Sequence, residues 1–226
     1  IQRSFALHGA GTVVTGVCAT GTLEQGQSLE VHPVAKSSRV RRVHIHGRDA
    51  GKAQPGLRTA LNLPDLTSAD CPRGAVAAAS GSLNSGSLLR VGMHLLPGVA
   101  PPKHASEVQV LAGTAAVEAR IFLPPDSSSE KVILVDLELN EPMALVPGER
   151  LLLRRPSPGM NIGAGRFLRF ASHRLRRKDK AEFEALSLLL DALDSPVDML
   201  ARFLEQPQIG EVDVSTVANS LGWKLE

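Results

Sequence analysis

His8-Gly9-Ala10-Gly11-Thr12-Val13-Val14-Thr15-Gly16 holds three glycines, and how they are read decides the fold. A dinucleotide-binding loop needs glycine at the first, third and sixth places, then a helix whose N-terminus faces the pyrophosphate. Counted from Gly9, the sixth place is Val14, and the β-branched residues around it disfavour a helix. The stretch reads instead as a tight turn at Gly9–Gly11 feeding a strand over 12–17 that ends near Gly16. It predicts a sheet or barrel element.

The chain on either side carries the same signal. Short β-branched or leucine-rich runs, punctuated by glycine and proline, recur at 4–7, 28–32, 39–46, 56–63, 75–79, 88–96, 107–111, 117–123, 131–138, 150–155 and 166–170. Many short strands without a long amphipathic helix among them predict a mainly β chain, built as two consecutive antiparallel β-barrels. The small, polar stretch 77–87 reads as the linker between them. The expected domains are 1–80, 81–171 and 172–226.

Within 39–46, Val43 and Ile45 alternate with Arg42, His44 and His46, so one face is apolar and the other cationic. Val40 is out of phase, which predicts a bulge near Arg41–Arg42. The cationic side either meets phosphate or is the solvated face of an edge strand guarded by charge.

After Phe170 the period changes. A charged run, 173–180, precedes Leu186, Leu189, Leu190 and Leu193 at helical spacing. Ser195-Pro196-Val197-Asp198 has the cap, the first-turn proline and the early acid of a helix start. A third helix is expected over 215–221, stopped by Gly222. Residues 214–223 read as the first helix and turn of a helix-turn-helix, hence a partial winged-helix module, with a small helical bundle as the alternative.

Composition narrows the function. Across 226 residues, 43% are apolar and 21% charged, as in a soluble protein, and no run is long enough to span a membrane. No signal segment opens the sequence. A cytoplasmic protein without a membrane partner is expected. Aromatics make up 3%, with no tyrosine, which argues against binding nucleic acid by stacking bases on an aromatic platform. Cys18 and Cys71, without metal-ligand spacing, read as buried thiols of a reducing compartment. The net charge of +2 conceals an asymmetry: residues 181–226 carry −7, leaving +9 on the rest. A basic body suggests a polyanionic partner.

Catalytic chemistry is not in evidence. The one Gly-Lys pair, Gly51-Lys52, has His46 where a phosphate loop needs its first glycine and Ala53 where it needs a hydroxyl. No nucleophile triad, His-Glu-x-x-His or paired-carboxylate motif appears, and the seven histidines are scattered. The chain is expected to catalyse nothing by itself and to hold no metal.

One combination of motifs stands out. Beside 8–16 come Gly21-Thr22-Leu23-Glu24-Gln25-Gly26, Arg39-Val40-Arg41, Gly56-Leu57-Arg58-Thr59-Ala60-Leu61-Asn62 and Pro72-Arg73-Gly74. In this order they resemble the second domain of translational GTPases, most closely the selenocysteine-specific elongation factors, which look like elongation factor Tu with a winged-helix extension. Residues 107–114, Pro147-Gly148-Glu149-Arg150 and Ser157-Pro158-Gly159-Met160-Asn161 resemble the third domain, and the acidic helical end resembles the start of the fourth.

The resemblance implies binding of selenocysteinyl-tRNA for delivery to the ribosome at recoded stop codons. It implies a selenocysteine pocket containing Arg3 and Arg58, with Gln2 where the family carries an acid, and with His8 nearby. It suggests Arg39, Arg41, Arg42, Arg154 and Arg155 as phosphate-binding groups, since phosphate contacts give affinity without reading sequence. GTP and Mg would belong to a GTPase domain preceding Ile1, and an mRNA hairpin to winged helices beyond Glu226. The alternatives are the barrels of another elongation-factor-Tu-like GTPase, or a β-barrel protein-interaction module without RNA binding.

Overall fold

The computed structural model describes residues 1–9, 11–123, 132–176 and 178–204. Contacts divide the chain into two units that meet at Leu83 and Asn84. It is mainly β, with few helices.

The first unit contains β1 (Arg3–Leu7), β2 (Gly11–Val17), β3 (Leu23–Glu24), β4 (Ser28–His32), β5 (Lys36–Arg39), β6 (Arg42–Ile45), β7 (Arg48–Asp49), β8 (Lys52–Ala53), β9 (Arg58–Leu63) and β10 (Val76–Ala79). Its strands form a five-stranded sheet in the order β1-β2-β9-β6-β7, a three-stranded sheet β10-β4-β5, and the pair β3-β8. Rather than one closed ladder, three sheets enclose a common core. Val14, Val43, Leu61 and Leu63 come from the large sheet, Leu29 and Val31 from the second, and Ala53 from the pair.

Gly11 explains the glycine turn. It sits at φ +83°, and a Cβ there would stand 2.6 Å from the Pro64 Cα. Only glycine both adopts that backbone and allows that approach. The expected single strand over 39–46 is two strands, β5 and β6. Val40, fully buried, crosses between them, which is why it falls out of phase with Val43. The stretch expected to be a linker, 77–87, contains the division between the units, but strand reaches into both its ends: β10 continues to Ala79 and the next strand opens at Ser85. Small residues there serve half-buried sheet positions. Of the two thiols expected to be buried, Cys71 is, whereas Cys18 is half-buried.

The second unit is a closed six-stranded antiparallel barrel of β11 (Ser85–Leu95), β12 (Ser106–Ala112), β13 (Ala115–Phe122), β14 (Ile133–Ala144), β15 (Arg150–Arg154) and β16 (Asn161–Phe170). They close in the order β11-β14-β13-β12-β15-β16. Its core includes Leu89, Val91, Val108, Val110, Ile121, Leu137, Leu153 and Phe167. Two helices follow, α1 (Lys180–Ala192) and α2 (Pro196–Leu204). Leu186, Leu189 and Leu193 of the expected helical stripe pack with Leu134 and Leu168 on the barrel exterior. The Ser195 Oγ accepts the Asp198 N–H at 3.3 Å, the cap the sequence suggested. The third helix expected over 215–221 lies outside the described residues.

Candidate functional site

In the first unit, one face of the five-stranded sheet is turned away from the core, and period-two alternation decides what it carries. On β9, Thr59, Leu61 and Leu63 are buried, while Arg58, Ala60 and Asn62 face the other way. On β6, Val43 is buried and Arg42 is exposed. On β1, Arg3, Phe5 and Leu7 alternate with Ser4, whose hydroxyl donates to the Ser68 carbonyl at 3.2 Å.

Register then aligns the outward residues in rows. Phe5 lies opposite Val13, Val13 opposite Asn62, and Asn62 opposite Arg42. In the next row Arg3 faces Thr15, Thr15 faces Ala60, and Ala60 faces His44. Arg58 faces Val17 in a third. Strand spacing separates Arg3 and Arg58, two strands and one row apart, by about 12 Å at the backbone.

The face forms a groove of about 510 Å3. Its apolar lining includes Phe5, Leu7, Val13 and Ala60, and Arg41, Arg42, His44, His46 and Arg58 contribute basic groups. Phe5 and Leu7 are 44% and 46% exposed side by side in this groove, and such a contiguous apolar surface is a reason to expect a ligand. No salt bridge among the described residues engages Arg3, Arg41, Arg42 or Arg58. The Asn62 side chain donates to the Thr12 carbonyl at 3.2 Å and ties β9 to β2 beneath the groove. Thr15 Oγ1, also in the lining, is shielded from solvent and has no hydrogen-bond partner among the described residues.

The head of the chain is fastened to this sheet. The Gln2 N–H donates to the Thr15 carbonyl at 2.7 Å, and the Gly74 N–H to the Ile1 carbonyl at 3.0 Å. That fixes Arg3 on the groove's side of β1. His8 is exposed in the turn between β1 and β2, past the groove-lining Leu7.

The remaining candidates are elsewhere. Arg39 ends β5, in the three-stranded sheet, and its backbone N–H donates to Asp65 at 3.1 Å. Arg154 and Arg155 belong to the second unit. Arg154 Nε donates to the Gly159 carbonyl at 2.8 Å, and Arg155 to the Ala100 carbonyl at 2.7 Å. The structure thus gathers Arg41, Arg42 and Arg58, puts Arg3 on the same face, and leaves the others apart. Phe5, Leu7 and Val13 were not singled out from sequence. Their signal was the alternation Arg3-x-Phe5-x-Leu7, which places apolar and cationic side chains on one face. Among the described residues, no group of three or more His, Cys, Asp or Glu side chains could hold a metal ion, and no helix is long and apolar enough to cross a membrane.

No family model matches the chain. The selenocysteine-specific elongation factor of Desulfomicrobium baculatum is 32% identical over 192 residues, covering 84% of this chain and 30% of that protein. That of Escherichia coli K12 is 28% identical over 214 residues, covering 94% of this chain and 33% of the relative. The crystal structure of a bacterial selenocysteine-specific elongation factor, EF-Sec, superposes with a TM-score of 0.77 at 22% identity, over 100% of this chain and 35% of that one. The likeness in fold and the sequence identity point the same way. The chain is a homologue of the selenocysteine-specific elongation factors and spans about a third of their length.

Proposed function

We propose that this chain is the tRNA-binding part of a selenocysteine-specific elongation factor and that its first unit holds the aminoacyl end of selenocysteinyl-tRNA. The observation that carries the reading is the convergence of Arg41, Arg42 and Arg58 on one groove with an apolar lining, with Arg3 on the same face. We read the first unit as a translation-factor barrel, and α1 and α2 as the opening of a winged-helix domain. An apolar surface suits the terminal base and ribose, and the arginines suit the anionic cargo and phosphates.

The choice of arginine follows from acidity. A selenol is largely ionised at neutral pH, whereas a serine hydroxyl is not. Guanidinium groups stay charged and offer several donors, so they favour the selenolate through charge-assisted hydrogen bonds. Bound serine would leave these donors underpaired at about 1–3 kcal/mol each, or roughly tenfold to a hundredfold per group. Gln2 stands where the family carries an acid, so this position adds no carboxylate beside Arg3. Arg39, Arg154 and Arg155 are assigned to phosphates of the tRNA body.

In the whole protein, GTP and Mg belong to a GTPase domain not contained in these residues, and an mRNA hairpin to further winged helices. Delivery to the ribosome in the cytoplasm completes the reading, and the chain itself has no catalytic role.

The test compares binding of selenocysteinyl-tRNA and seryl-tRNA to the chain and to Arg58→Ala. Preference for selenocysteine in the unmutated chain, reduced at least tenfold by the substitution, is expected. Equal affinity for both tRNAs in the unmutated chain would overturn the pocket. Binding that ignores salt would instead favour a protein partner on the apolar surface.

A further inference from the structure

The second unit has its own basic groove, in a part of the chain that none of the expected sites occupied. His173, Arg174 and Arg176 leave the barrel after β16 and, with His104, flank a groove of about 500 Å3 that also contains Phe122 and Leu134. All four basic side chains are exposed. Phe122 organises two of them. The Arg174 guanidinium lies 4.2 Å from the centre of its ring, and the His104 ring meets it edge-on at 5.6 Å. His104 Nδ1 is 3.0 Å from the Leu123 carbonyl, which can only accept, so Nδ1 carries the proton and Nε2 is left free of that bond.

A charged run at the exit of a domain is ordinarily a solvated tether. This one is pinned. The buried Arg90 donates to the His173 carbonyl at 2.9 Å, and the buried Asp136 accepts the Leu175 N–H. Both backbone anchors flank Arg174, so its position is set from below by the barrel and from the side by Phe122. Asp136, the acid in the groove, is 2% exposed and engaged by Arg90 and by the Leu175 N–H, while Arg174 also lies close enough to act on its charge. Neither Arg174 nor Arg176 makes a salt bridge with a carboxylate among the described residues.

We propose that this groove is a second RNA-binding site, which takes the phosphodiester backbone of an RNA strand on Arg174 and Arg176, with His104 and His173 lining the same groove. Guanidinium held against an aromatic ring keeps its edge donors free for phosphate oxygens and loses little freedom on binding. The site rests on the reading that RNA is the partner, but it requires no aminoacyl group.

The experiment measures binding of a short labelled RNA hairpin, without an aminoacyl end, to the chain across a salt series. The double variant Arg174→Ala/Arg176→Ala should bind at least fivefold more weakly. Its plot of log affinity against log salt should be shallower by about two, one for each lost phosphate contact. Phe122→Leu keeps every charge but removes the ring, and about a twofold to fivefold loss with an unchanged slope is expected. The Arg174 and Arg176 side chains are exposed, so the double variant should stay folded, its unfolding temperature lowered only by the loss of the Arg174–Phe122 contact.

Unchanged affinity and slope in the double variant would overturn the proposal. Equal, equally arginine-dependent binding of a polyglutamate peptide would also overturn it and assign the groove to an acidic protein. Loss of selenocysteine preference in Arg58→Ala with an unaltered hairpin slope would leave this groove standing, so the two sites fail separately.

Discussion

Arg90 on β11 and Asp136 on β14 lie 3.5 Å apart, Nε to Oδ1, with side chains 4% and 2% exposed. The Arg90 guanidinium also pairs with Glu182 of α1, which pairs in turn with Arg169 of β16. One ionic cluster thereby joins three strands, the segment after the barrel and the first helix. Burial pulls the Arg169 guanidinium down to about 10, and neighbouring Arg90 adds to the effect. Burial also pushes the Asp136 carboxyl above its ordinary value.

Breaking this cluster on one side strands a buried charge. Asp136→Ala should cost about 3 kcal/mol in denaturant unfolding. The double variant Arg90→Met/Asp136→Leu should be more stable than Asp136→Ala, because it removes both charges and fills the space. A double variant less stable than the single one would show that the cluster contributes more than its own desolvation.

Asp70 should make the first unit sensitive to acid. Hydrogen bonds from Lys36, the largest cause, and from Thr67 hold its carboxyl well below the usual range. A carboxyl lowered on folding stabilises above its unfolded value, near 3.9, and that stabilisation is lost as pH falls below it. The fall in unfolding temperature from pH 6 to pH 3 should be smaller in Asp70→Asn than in the parent. An identical fall would remove Asp70 from the account.

Gly11→Ala should destabilise the first unit by about 1–3 kcal/mol or more. It combines a left-handed backbone with a Cβ placed 2.6 Å from main-chain Pro64. Gly9, also at positive φ but with open space around its Cβ, should tolerate alanine better. Thermal unfolding of the two variants gives the comparison.

Among neighbouring arginines, position in the sheets should separate their effects on tRNA. Arg42→Ala removes a groove cation and should weaken binding by about 1 kcal/mol, roughly fivefold, with a shallower salt dependence. Arg39→Ala, in the other sheet, should change the preference for selenocysteine over serine less than Arg58→Ala does. A filter-binding series with both tRNAs distinguishes these outcomes.

The sheet elements were legible because their signal is local. Alternation over 42–45, the glycine turn before Thr12 and the leucine spacing of 186–193 each report a period set by the element itself. The partition of the first unit into three sheets was not legible. It depends on pairings such as β2 with β9, whose partners stand far apart in sequence. The groove was half legible: family motifs pointed to Arg3 and Arg58, but the apolar lining arises only when register sets Phe5 beside Val13 and Asn62. The pinned run 173–176 had no sequence signal, because its anchors, Arg90 and Asp136, come from strands more than thirty residues away.

The two faces of β9 answer to different demands. Thr59, Leu61 and Leu63 are constrained by the interior they fill, and Arg58, Ala60 and Asn62 by whatever occupies the groove. A descendant of this chain could therefore exchange the outward trio, and with it the cargo, while leaving every interior contact of the strand in place. Divergence of specificity would then appear in alternate positions of one short strand, with the intervening ones unchanged.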